Sequence, residues 1–92
     1  MMEEKRHPVR VRFYTRPGCH LCDEARREML AAGVAELYRL EELDVDADPD
    51  LKRRFGWDIP VIQIGDAIAF KHRLTGDEFG REIRRASSSQ GP

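Results

Sequence analysis

The sequence has no apolar run close to the ~20 residues that a membrane-spanning helix needs, and its mean hydropathy is −0.63. It also has no excess of charge of one sign, because 16 lysines and arginines against 17 aspartates and glutamates give a formal net charge of −1. We therefore expect no membrane and no nucleic acid among its partners. The charged segment Met1–Pro8 contains no apolar stretch of the kind found in secretory signals, so we expect a cytoplasmic location.

Cysteine is scarce as well, since the chain has only Cys19 and Cys22, spaced Cys-x-x-Cys. A structural zinc site needs four ligands, which usually come from two such pairs or from one pair and spaced histidines. The chain has no second pair, and His7, His20 and His72 do not have finger-like spacing. The pattern therefore favours a redox pair over zinc, while two inert, buried cysteines remain the structural alternative.

A chain of 92 residues has room for one hydrophobic core, so we expect a single domain over residues 9–86. The residues before it, 1–8, are expected to form a flexible N-terminus. The final stretch, Ser87–Pro92, has the low complexity of a disordered tail.

The segments on either side of the cysteine pair have different periodicities. Val9–Tyr14 alternates, with Val9, Val11 and Phe13 on one face, and this pattern predicts a β-strand. Residues 19–32 carry apolar side chains at helical spacing, which predicts a helix that ends at Gly33. The apolar positions of this helix are Leu21, Ala25, Met29 and Ala32.

This context gives the two cysteines different expected roles. At a helix N-terminus, free backbone N–H groups and the macrodipole stabilise a thiolate, so we expect Cys19 to have a lowered pKa and to be the nucleophile. Cys22 lies beside the apolar stripe, so we expect it to be buried and to resolve the mixed disulfide. His20, between them, either favours the thiolate or is a solvated spacer. Arg16 is a permanent cation that can act on the thiolate or on a substrate carboxylate.

The rest of the chain carries local signals for three more strands and two more helices. Acidic residues within Leu37–Val45 predict an edge strand, and Gly65-Asp66 predicts a type II′ hairpin turn. Asp48-Pro49 predicts the start of a short helix, which explains the alternating aspartates there better than a calcium loop does. Thr75–Glu78 has the form of a capping box. The order βαβαββα predicts an α/β fold, in which helices flank a four-stranded mixed sheet.

This element order, with Cys-x-x-Cys after strand one and Ile59-Pro60 before strand three, resembles the thioredoxin fold and, within it, the glutaredoxin branch. The run Phe13–Ala25, which reads Phe-Tyr-Thr-Arg-Pro-Gly-Cys-His-Leu-Cys-Asp-Glu-Ala, is similar to that of a small bacterial glutaredoxin-like family. Asp46–Pro49 and Ile59–Val61 fit the same family. The resemblance covers residues 9–86.

The resemblance implies roles for individual residues. Cys19 corresponds to the family's attacking thiolate and Cys22 to its resolving thiol. Pro60 corresponds to the cis-proline that faces the disulfide, and Ile59 to the residue whose backbone pairs with an extended thiol substrate. The expected substrate-binding residues are Arg16, His20, Ile59, Pro60 and Arg73.

The function implied by the resemblance is that of a thiol–disulfide oxidoreductase that reduces a small-thiol or protein disulfide by dithiol exchange. We expect a monomer with no bound cofactor, to which glutathione or a reductase supplies electrons. Well-characterised glutaredoxins carry a Gly-Gly pair after strand four, whereas Arg73–Asp77 contains only Gly76, which leaves glutathione recognition open. The alternative function is a carrier that binds a metal or an iron–sulfur cluster through Cys19 and ligands of a second chain, although the adjacent Cys22 argues for exchange.

Overall fold

The computed structural model of the chain describes residues 8–88. Its four strands are β1 (Val9–Thr15), β2 (Tyr38–Asp44), β3 (Val61–Ile64) and β4 (Ala67–Lys71). They lie in the order β2-β1-β3-β4, so the acidic β2 is an edge strand, as predicted. β1 and β2 are parallel, while β3 pairs antiparallel with both β1 and β4. The predicted mixed sheet is confirmed.

The helices cover both faces of this sheet. They are α1 (His20–Ala31), α2 (Pro49–Phe55) and α3 (Gly76–Ser88), and short 3-10 turns span Ala35–Leu37 and Val45–Ala47. Successive side chains of a strand point to opposite faces. Phe13 of β1 therefore packs in one cluster with Met29 of α1 and Phe79 of α3. Its neighbour Tyr14 packs on the other face against Phe55 of α2, with the ring centroids 4.2 Å apart.

The starts of α2 and α3 follow the local signals in the sequence. The side chain of Asp48 accepts a hydrogen bond from the N–H of Asp50 at 2.8 Å, and Pro49 is the first residue of α2. At α3, Thr75 Oγ1 accepts from the N–H of Glu78 at 3.1 Å, and Glu78 Oε1 accepts from the N–H of Thr75 at 3.3 Å. These reciprocal bonds are the predicted capping box.

The predicted C-terminal tail starts too early, at Ser87. Helix α3 continues to Ser88, and Ser87 is only 5% exposed. Because Ser87 lies four positions after the buried Ile83, it falls on the inner face of the helix, which the low complexity of the segment concealed. Residues 89–92 of the predicted tail and residues 1–7 of the predicted flexible N-terminus lie outside the described residues.

Helix α2 should depend on Phe55 for its attachment to the sheet. Phe55 is 6% exposed and stacks on Tyr14, so we expect Phe55→Ala to lower the free energy of unfolding by about 3–5 kcal/mol. The measurement is urea denaturation followed by circular dichroism. The control is Leu30→Ala, because Leu30 is 70% exposed and its truncation should change stability by less than about 0.5 kcal/mol. If the two substitutions lowered the free energy of unfolding equally, the proposed role of Phe55 in attaching α2 to the sheet would be contradicted.

Candidate functional site

The two cysteines meet at the N-terminus of α1, where they form a disulfide with the Cα atoms 5.1 Å apart. Cys19 is the N-cap residue, and its Sγ accepts a hydrogen bond from the N–H of Cys22 at 3.1 Å. Cys19 is half-buried, whereas Cys22 is 1% exposed and belongs to the main core cluster. The predicted difference in burial between the two sulfurs is confirmed.

The turn before Cys19 carries the chain from the end of β1 to the start of α1. Gly18 has a φ of 78°, in the left-handed region that side chains with a Cβ rarely adopt. The N–H of Cys19 donates to the carbonyl of Arg16 at 3.3 Å and closes this turn. The glycine of the Pro-Gly-Cys run therefore has a conformational role.

The guanidinium of Arg16 is bound by the Asp46 carboxylate, a partner that the sequence does not predict. Its Nε and Nη2 donate to the two carboxylate oxygens of Asp46, each at 2.9 Å, and its Nη1 donates to the carbonyl of Gly56 at 3.3 Å. The hydrogen bond to Asp46 is the main cause that raises the pKa of Arg16, and the same bond lowers the pKa of Asp46. A substrate carboxylate would have to compete with Asp46 for this guanidinium.

The Ile59–Pro60 peptide bond is cis, as the resemblance implied. Pro60 is fully buried, while Ile59 is partly buried and packs against both core clusters. The carbonyl of Pro60 accepts a hydrogen bond from the N–H of His72 at 2.8 Å. This bond ties the proline loop to the segment that follows β4.

His72 has a backbone role that no local feature of the sequence predicts, since the sequence offers it only as a candidate zinc ligand. Within residues 8–88 it is the single non-glycine residue with a positive φ, at 71°. The N–H of Arg73 donates to the carbonyl of Lys71 at 2.7 Å, which makes a three-residue turn centred on His72. A left-handed residue with a side chain costs on the order of 1–3 kcal/mol and persists where surrounding contacts enforce it. Here those contacts include Asp58, which lies 3.7 Å from His72 Nε2 and 3.4 Å from Lys71 Nζ.

The remaining predicted substrate-binding residues, His20 and Arg73, are both exposed. Arg73 lines a cleft of about 420 Å³ between α1 and the loop before α3, and Leu21 of the Cys-x-x-Cys segment lines the same cleft. His20 is the first residue of α1, and within the described chain no side-chain hydrogen bond or ion pair reaches it. The structure thus brings Cys19 and Cys22 together at the start of α1, and the cleft that Arg73 lines runs along α1 from Leu21 to Glu28, while the role of His20 stays a prediction.

Residues 8–88 contain no group of three or more His, Cys, Asp or Glu side chains arranged to hold a metal ion. Over the same range, every helix is too short or too polar to cross a membrane.

The family model described as Glutaredoxin-like domain (DUF836) matches residues 10–84. This chain belongs to the glutaredoxin-like family. It is 36% identical over 78 residues to the Glutaredoxin-like protein YDR286C homolog of Dictyostelium discoideum, and the match covers 77% of this chain and 71% of that protein. The family that the sequence resembles is therefore confirmed, and the Dictyostelium relative is not bacterial.

Solved structures support the same fold. Protein Ne2328 from Nitrosomonas europaea superposes with a TM-score of 0.71 at 25% identity, over 88% of this chain and 98% of that chain. Protein XcR50 from X. campestris gives a TM-score of 0.66 at 23% identity, over 82% and 96% of the two chains. A malaria parasite thioredoxin-2, described as a component of protein secretion machinery, gives 0.65 at 18% identity, over 92% and 88%. The last two likenesses show the fold alone, which confirms the predicted thioredoxin/glutaredoxin-like architecture.

The ion pair of Arg16 and Asp46 should make stability depend on pH in acid. Because the pairing lowers the pKa of Asp46 in the folded protein, it stabilises the fold above the ordinary carboxyl pKa of about 4. This contribution is lost as the pH falls through the lowered value. We therefore expect Asp46→Asn to lower the free energy of unfolding near neutral pH, and we expect the difference from the parent to shrink in acid.

Urea unfolding of the parent and of Asp46→Asn over a series of pH values measures this effect. Asp66→Asn is the matched control, because Asp66 is exposed in the hairpin turn and has no arginine partner within residues 8–88. A difference between Asp46→Asn and the parent that stayed constant from neutral pH into acid would contradict the assignment.

Proposed function

We propose that this glutaredoxin-like protein is a cytoplasmic thiol–disulfide oxidoreductase that works by dithiol exchange. The observation that carries the proposal is the geometry of the pair at the start of α1. The N–H of Cys22 points at Cys19 Sγ from 3.1 Å, and Cys22 lies buried behind it. Once the disulfide is reduced, this donor and the helix macrodipole favour negative charge on Cys19 Sγ.

The exchange proceeds in two displacements that start from the reduced protein. The Cys19 thiolate attacks one sulfur of a substrate disulfide, so a Cys19–substrate bond forms and the other substrate sulfur leaves as a thiolate. Cys22 then loses its proton and attacks Cys19 Sγ, which forms the Cys19–Cys22 disulfide and releases the second substrate thiolate. The two thiolates take up two protons, so the substrate gains two electrons and the protein loses two. In the resulting disulfide the two Cα atoms are 5.1 Å apart, within the usual range for a disulfide.

The substrate is proposed to lie across the proline loop. Pro60 is buried against the core beside Ile59, and the bond from His72 to the Pro60 carbonyl fixes this loop so that the Ile59 backbone can pair with an extended substrate. Arg73, in the cleft that Leu21 also lines, is a candidate for polar contacts to the substrate. Since the Asp46 carboxylate already binds the Arg16 guanidinium, we assign Arg16 to positioning the turn before Cys19 rather than to direct substrate contact.

Electrons are proposed to come from a thiol reductant. Either two glutathione molecules or one reductase dithiol would reduce the Cys19–Cys22 disulfide, with the reductant oxidised to a disulfide. The protein is proposed to act as a monomer without a resident cofactor. An assay with a glutathione mixed disulfide beside an insulin reduction assay separates the small-thiol and protein substrate classes.

Mutation of each cysteine tests the assigned roles directly. We expect Cys19→Ser to abolish exchange, because no nucleophile remains at the helix terminus. Cys22→Ser should accumulate a covalent mixed disulfide, because the resolving thiol is absent. In the reduced parent, Cys19 should alkylate faster than Cys22 below neutral pH, which mass spectrometry of quenched samples measures.

Two outcomes would contradict the proposal. Equal alkylation rates for Cys19 and Cys22 would remove the distinction between attacking and resolving thiols. A brown protein with broad visible absorption on purification, lost in Cys19→Ser, would favour the alternative function of an iron–sulfur carrier. The exchange proposal expects a colourless protein.

A further inference from the structure

Trp57 is exposed to an unusual degree for a large aromatic residue. It is the only tryptophan of the chain, and 93% of its surface is accessible to solvent. The next most exposed large apolar residue within residues 8–88 is Leu30, at 70%. An indole contributes most to stability when it is buried, so Trp57 contributes little to the stability of the fold and is available for contact with another molecule.

Backbone hydrogen bonds hold the loop that carries Trp57. The N–H of Gly56 donates to the carbonyl of Lys52 at 2.9 Å, and the N–H of Asp58 donates to the carbonyl of Phe55 at 2.9 Å. A Cβ at Gly56 would collide with the Lys52 carbonyl, so this close approach requires glycine. The residues on both sides of Trp57 are therefore held by backbone hydrogen bonds, while its side chain is exposed to solvent.

The same loop is tied to the disulfide. The Gly56 carbonyl accepts from Arg16 Nη1 at 3.3 Å, and the Arg16 carbonyl accepts from the N–H of Cys19 at 3.3 Å. Trp57 lies two residues before Ile59, so their Cα atoms are at most about 7 Å apart. Trp57 is therefore close in the chain to the residue proposed to pair with an extended substrate.

The charges beside the loop favour an apolar occupant. Arg16 pairs with Asp46, and Asp58 pairs with Lys71, so these ionic groups are already partnered within the fold. Within residues 8–88, the Trp57 indole has no hydrogen bond or ring contact of its own, and 93% of its surface is accessible. Tryptophan on a hydrogen-bonded loop beside a reactive centre has the character of an interface anchor, which needs a complementary apolar or aromatic side chain.

We propose that Trp57 is the docking platform for a polypeptide disulfide, and that it packs against an apolar or aromatic side chain next to the reactive cysteine of that partner. This inference rests on the proposed exchange function and names its substrate class. Trapping uses one displacement: the Cys19 thiolate attacks a symmetrical peptide disulfide, one Cys19–peptide bond forms, and one peptide leaves as a thiolate. With Cys22→Ser, the complex stops there.

The test compares two symmetrical peptide disulfides, one with Phe and one with Ala beside the cysteine. In the parent, kcat/KM should be higher for the Phe peptide by about tenfold, the scale of one good anchor contact. Trp57→Ala should bring this ratio close to one, and Trp57→Phe should retain most of it. The control is Leu30→Ala, which removes an exposed apolar side chain near the far end of α1 and should keep the parent ratio.

Fluorescence gives a readout that does not depend on turnover, because Trp57 is the only tryptophan. In the trapped complex of Cys22→Ser, the Phe peptide should shift the emission to shorter wavelength and reduce quenching by acrylamide, more than the Ala peptide does. If the parent has no preference for Phe, or if Trp57→Ala keeps that preference, the docking role is wrong while the exchange function stands. If the parent exchanges with neither peptide nor with a small disulfide, the proposed function itself fails.

Discussion

The burial of one face of α1 against the sheet is the constraint on which the site depends. Cys22, Ala25 and Met29 lie three or four positions apart and belong to the same core cluster as Phe13. This packing fixes the rotation of α1 about its axis and its position along that axis. The residue before the first turn of α1 therefore lies near the end of β1. Cys19 is in that place, and the N–H of Cys22 is aimed at its sulfur for the same reason. The asymmetry of the two thiols is thus a consequence of helix packing.

Arg16 contributes to this arrangement through the hydrogen bonds that its side chain donates. Its guanidinium joins the turn before Cys19 to Asp46 and to the carbonyl of Gly56, so one side chain links three segments at the same end of the sheet. The N–H of His72 holds the Pro60 carbonyl, at the other end of the segment 56–60. The turn before Cys19 and the segment 56–60 are thus both held by hydrogen bonds.

The elements of the fold could be predicted because their signals are local. The capping box of Thr75 and Glu78, the start of α2 at Asp48 and the alternation of β1 each lie within a few residues, where sequence spacing maps directly onto geometry. The family resemblance added the cis bond before Pro60, for which spacing alone carries no signal. The low complexity after Ala86 predicted that the tail begins at Ser87, whereas α3 continues to Ser88. A small polar residue can still occupy a buried helical position.

The parts of the site that were missed are the ones that depend on distant contacts. Arg16 and Asp46 are 30 positions apart, and only the parallel pairing of β1 with β2 brings their segments together. The alternation of β1 places Tyr14 beside two arginines, and nothing nearby in the sequence indicates that Phe55 will cover it. His72 is left-handed at a position where local preference would favour glycine, and its own N–H is bonded to the distant Pro60 carbonyl while its ring lies near Asp58. In this protein a short motif indicates the cysteine pair and the helix that carries it, whereas the contacts of Arg16 around the pair join residues that are far apart in the chain.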